Sequence, residues 1–72
     1  MDNMTKDSLM SGLDSVVAYS KAAATSASDA TARVAENSEL APAFNSLSQA
    51  FEQQLSAFVQ LTSILKGFVA AS

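Results

Sequence analysis

From Leu40 to Val69 the chain returns large apolar residues to one side of a helix. The row is Leu40, Phe44, Leu47, Phe51, Leu55, Phe58, Leu65 and Val69, with Thr62 its only polar interruption. Counting Thr62, every step is 3 or 4 residues, which follows the α-helical period near 3.6. Opposite it runs Gln49, Gln53, Ser56, Gln60, Ser63 and Gly67, a row that is polar but uncharged. An ordinary solvated helix face is laced with Glu and Lys. The pattern predicts a helix that is apolar on one side and neutral and wet on the other, as suits a larger assembly.

The apolar surface widens toward the C-terminal end, where Ala50, Ala57, Leu61, Ile64 and Phe68 form a second flank beside the main row. One partner helix covers one stripe, so two stripes call for at least two neighbours. The preceding segment supplies little to meet them. Its large apolar residues are Leu9, Met10, Leu13, Val16, Val17 and Tyr19 near the start, and Val34 near the end. Between them, residues 20–32 hold six Ala and five Ser or Thr, with Lys21 and Asp29. Alanine favours helix, while Ser and Thr favour it less. Such a run makes a helical spacer or a linker, and its small side chains permit close approach of a neighbouring backbone.

The helical pattern breaks between Ala35 and Pro42. Asn37 and Ser38 are capping or turn residues, Glu39 suits a first helical turn, and Pro42 disfavours helix at Ala41. The second helix is therefore expected to begin between Ser38 and Pro42. A short connection between two helices implies an antiparallel hairpin. The expected layout is a tail over 1–4, a first helix over 5–36, a turn over 37–42, a second helix over 43–70 and an end at 71–72. The second helix would run roughly 45 Å at about 1.5 Å per residue.

Seventy-two residues make one small domain at most. The apolar fraction is 49%, but 14 of those residues are Ala. Small chains with thin cores are stabilised by disulfides, metals or oligomerisation. With no Cys and no His, bridges and the usual zinc sites are excluded, which leaves oligomerisation. The fold class expected is all-α: a two-helix hairpin that completes its core by polymerising into a helical filament.

Other function classes fare poorly. The net charge is −3, and Lys6, Lys21, Arg33 and Lys66 are scattered, so there is no concentrated basic surface for nucleic acid. The stretch Leu61–Ala71 is short and interrupted by Thr62, Ser63 and Lys66, so no stable membrane insertion is expected. No basic n-region precedes an apolar stretch, so export is expected without a cleavable signal peptide. Catalysis lacks its usual instruments: no imidazole, no thiol, and only two Gly for a phosphate loop. Asp7 and Asp14, seven apart, read as a solvated helix face. No enzyme activity, cofactor or metal is expected.

The string Gln-Gln-Leu-Ser-Ala-Phe-Val at Gln53–Val59, followed by Ile64, Leu65, Lys66 and an apolar tail, resembles the C-terminal helix of type III secretion needle and pilus subunits. The resemblance covers roughly residues 44–72 and extends to chain size and hairpin layout. Only Pro42 stands where the needle-type turn often carries two prolines around an Asn, and the Ala/Ser/Thr run is closer to the flexible pilus subunits. The resemblance implies an extracellular or cell-surface homopolymer that works with a secretion machinery. Its channel would be lined by the C-terminal helix and would pass unfolded proteins. By position, Gln49, Gln53, Ser56, Gln60, Ser63 and Lys66 become the lumen candidates. Neutral polar side chains suit a channel because they stay hydrated without binding either sign of charge tightly.

The subunit interface is expected on Phe44, Leu47, Phe51, Leu55, Phe58, Leu61, Ile64, Leu65, Phe68 and Val69. The function expected is a self-assembling structural subunit of a hollow extracellular filament used for protein export. Two alternatives share the composition. One is a non-secretory structural filament or phage coat subunit, and the other is a small helical adaptor or chaperone that docks a partner.

Overall fold

Asp2 opens the first helix. Its Oδ1 accepts the Thr5 N–H at 2.8 Å, satisfying one of the amides that a helix start leaves unpaired. The computed structural model describes residues 1–72, with α1 over Asn3–Arg33 and α2 over Leu40–Ala71. There are no strands. The chain is an all-α hairpin.

Both boundaries of α1 differ from the expected 5–36. The helix begins at Asn3, because Asp2 caps it and the Asp2 carbonyl accepts the Lys6 N–H at 3.0 Å. It ends at Arg33, where the backbone tightens: Val34 N–H donates to Thr31 O at 3.2 Å and Asn37 N–H to Val34 O at 3.0 Å. These shorter-span bonds mark the last turn of a helix giving way to a connection.

Asn37 starts α2 from three residues before it. Its Oδ1 accepts the N–H groups of both Glu39 and Leu40 at 2.9 Å, and its carbonyl accepts the Ala41 N–H at 2.9 Å. Pro42 therefore falls within the first turn of the helix from Leu40, and Ala41 is helical in spite of it. A proline is tolerated there because early amides lack helical partners in any case.

The helices, 31 and 32 residues long, pack antiparallel into a body with Cα extents of 54 × 16 × 9 Å. On α1 the side turned inward is Lys6, Met10, Leu13, Val17, Ser20, Ala24, Ala27, Thr31 and Val34. Its steps alternate between 4 and 3 residues, the heptad spacing of two helices packed along a seam. On α2 the matching side is Ala41, Phe44, Ser48, Phe51, Leu55, Phe58, Thr62, Lys66 and Val69. Only Ala24, Ala27 and Thr62 are buried outright, out of 72 residues. The Ala/Ser/Thr run is helical throughout and forms the middle of the seam, where its small side chains let the larger residues of α2 approach.

Two threonines sit in that seam without orphaned polar atoms. The Thr62 hydroxyl donates to the Val59 carbonyl of its own helix at 3.0 Å, so the polar interruption in the apolar row is satisfied internally. The Thr31 hydroxyl has carbonyl acceptors on both helices, Ala27 O at 2.7 Å and Phe44 O at 3.0 Å. A hydroxyl has one proton to donate, so the two carbonyls share it.

Candidate assembly interface

The ten residues expected at a subunit interface divide into two sets. Phe44, Phe51, Leu55, Phe58 and Val69 are half-buried and turned toward α1. Leu47, Leu61, Ile64, Leu65 and Phe68 remain exposed, with Ile64 at 59% and Phe68 at 69%. The first set holds the hairpin itself together. Only the second is free to meet another molecule. The seam lies slightly around the helix from the apolar row, so that Ser48 and Lys66 take positions beside it while Leu40, Leu47 and Leu65 stay outside.

Of the lumen candidates, Gln49, Gln53, Ser56, Gln60 and Ser63 are all exposed, as is Gly67. Gln60 Nε2 donates to Ser56 Oγ at 3.4 Å, a contact along the row. Lys66 is the exception. It is half-buried and forms the one salt bridge of the structure, with Asp14 of α1. Asp14 is thus engaged in a cross-helix pair, and its neighbour seven residues away, Asp7, is exposed.

The hairpin has two unlike broad faces. On one, an open groove of about 320 Å³ is lined from both helices by residues that include Lys21, Asp29 and Glu52. A second groove on the same face is bordered by Asp14 and Lys66. The other face carries the exposed flank of α2. Counting by the helical period, it holds Leu40, Leu47, Ala50, Ala57, Leu61, Leu65 and Phe68, with Leu9, Gly12, Val16, Ala23 and Ala30 beside them on α1. The only charged residues in α2 are Glu52 and Lys66, and both border the grooves of the first face.

No group of three carboxylates comes together in a way that could hold a metal ion, and the grooves lie open at the surface. α2 is long and apolar enough to cross a membrane by length and composition alone, with a mean hydropathy of 1.2 in its most apolar 18-residue window. That criterion ignores the placement of Gln49, Gln53 and Gln60 on one exposed side.

Residues 24, 27 and 31 were not singled out from the sequence as packing positions. The available signal was their place in a heptad that continues from Met10, Leu13 and Val17. Small side chains hide such a pattern, because hydrophobic periodicity is read from large ones.

Comparison with protein-family models, with curated proteins and with solved structures finds no match.

Proposed function

We propose that this chain is a self-assembling structural subunit of a hollow extracellular filament, of the needle or pilus kind, used for protein export. One observation carries the reading: the hairpin leaves Leu47, Leu61, Ile64, Leu65 and Phe68 exposed along one flank while burying only 3 of its 72 residues. A chain with so thin a core gains most from packing against copies of itself. A head-to-tail contact that does not close then yields a filament. The resemblance of residues 44–72 to needle and pilus subunits points to the same architecture. The neutral row Gln49, Gln53, Ser56, Gln60 and Ser63 is exposed, as a hydrated channel wall requires. Lys66 belongs to the Asp14 pair within this reading and is not assigned to the wall. The same glutamines disfavour a helix set alone in lipid, where their amides lack partners.

Electron microscopy of the concentrated chain, with helical reconstruction, tests the proposal. Thin fibres with a central channel lined by Gln53 and Gln60 are the expected result. Solid fibres would leave a structural filament and remove the conduit. A small soluble oligomer at every concentration would replace the filament with the adaptor reading.

A further inference from the structure

We infer that the broad face away from the grooves, centred on Leu61, Leu65 and Phe68 of α2 with Leu9 and Val16 of α1, is where a second copy of this chain packs. The inference rests on the self-assembly reading and specifies its surface.

Three observations select a second copy. The first is area. The chain exposes 5162 Å². A compact monomer of its 7.5 kDa mass exposes about 4,200 Å². The surplus, roughly 900 Å², matches the share of about 800 Å² that each partner gives to a standard protein–protein interface. The extended 54 × 16 × 9 Å shape accounts for that surplus in a free chain, and covering one long face would remove an area of the same order.

The second is charge. Each copy carries a net charge of −3, so two copies repel through most approaches. The groove-bearing face displays Lys21, Asp29 and Glu52 together with the Asp14–Lys66 pair, and covering it would desolvate those charges. The opposite face has one, Arg33, in the heptad position of Gly12 at the turn end of α1. One cation at the turn end is a small charge with which to recognise an acidic partner.

The third is shape. Large side chains are concentrated on the α2 side of the face, where Leu61 is 50% exposed and Phe68 is 69% exposed. The α1 side carries Gly12, Ala23 and Ala30 at the same face, and nothing stands within 4 Å of where a Cβ on Gly12 would lie. The projections of the α2 half can therefore seat on the hollows of the α1 half of the next copy, a head-to-tail contact that leaves a half-face at each end to continue the filament. The other five apolar residues of the expected interface, from Phe44 to Val69, are already engaged with α1.

The test exploits the absence of cysteine. Single thiols are introduced as Leu61→Cys, Phe68→Cys and Ala22→Cys, the last at an exposed site on the side of α1 directly away from the seam. Reaction with a soluble maleimide is timed across a dilution series, and particle mass is recorded by light scattering on the same samples. Circular dichroism confirms that each variant keeps its helix. The expected result is a slowing of at least tenfold at positions 61 and 68 as the mass rises above that of one chain, with position 22 unaffected. Association that protects position 22 and leaves 61 and 68 reactive would overturn the assigned face while self-assembly survived. A single-chain mass at every concentration would overturn both. Protection of 61 and 68 that needs added phosphatidylcholine vesicles, with the chain otherwise monomeric, would hand the face to a membrane and overturn the assignment.

Discussion

The hydroxyl of Thr31 lies 3.0 Å from the carbonyl oxygen of Phe44, so a side chain of α1 reaches the backbone of α2 directly. Replacing Thr31 by Val keeps the shape and removes the proton donor. The expected cost is about 0.5–1.5 kcal/mol, the usual net worth of one intramolecular hydrogen bond. Thr31→Ser, which keeps the hydroxyl, should lose less. Thermal unfolding of the two variants checks the order, and a Val variant as stable as the parent would show that the tie contributes nothing.

Ala27 is 7% exposed in the middle of the seam. Ala27→Leu adds bulk where the helices come close and should destabilise the hairpin by roughly 1–3 kcal/mol, as overpacking does. The same change at Ala22, which is exposed on α1, should leave stability within about 0.5 kcal/mol of the parent. Denaturant titration of the pair separates a packing effect from a propensity effect.

Lys66 and Asp14 form an ion pair whose side chains are 38% and 66% exposed. Solvent and salt screen such a pair, so its coupling should lie below about 1 kcal/mol. A double-mutant cycle with Lys66→Met and Asp14→Asn measures it. The coupling should fall further at 1 M salt, where the screening length drops to about 3 Å. A coupling of several kcal/mol that ignores salt would mean the pair is enclosed in the assembled state.

The Thr5 N–H bonded to Asp2 holds that carboxyl below the usual carboxylate range. A group depressed on folding adds stability that is present above its unfolded pKa and is lost as pH falls through the folded value. The first turn of α1 should therefore fray in acid. The protection of the Thr5 amide, measured as its exchange relative to the intrinsic rate at each pH, should fall through that window. Asp2→Asn, which still accepts the bond but does not titrate there, should flatten the dependence. A flat profile in the parent would remove the cap from the account of where α1 begins.

Much of the hairpin was legible before any coordinates. The row from Leu40 to Val69 and the cap and turn residues from Asn37 to Pro42 specify a second helix and its start. Both rest on short-range rules: the helical period, and the reach of a side chain to a nearby amide. The exposure of Gln49, Gln53, Ser56, Gln60 and Ser63 follows from the same period. The sequence by itself thus determined the second helix, the break before it and the wet side of α2, and it left residues 20–32 open between a helical spacer and a linker.

The tertiary structure alone decided which apolar residues are spent inside the hairpin. Phe51 and Leu47 stand in one row of the sequence, yet Phe51 turns to α1 and Leu47 is 46% exposed. The choice depends on the partner helix, whose Ala24 and Ala27 admit a close approach along one line and cover nothing beyond it. Lys66 likewise found Asp14, 52 residues away. Periodicity reports the direction of a side chain about its own axis. It carries no information about where along that circumference a second helix will settle, because that is set by the summed packing of both surfaces.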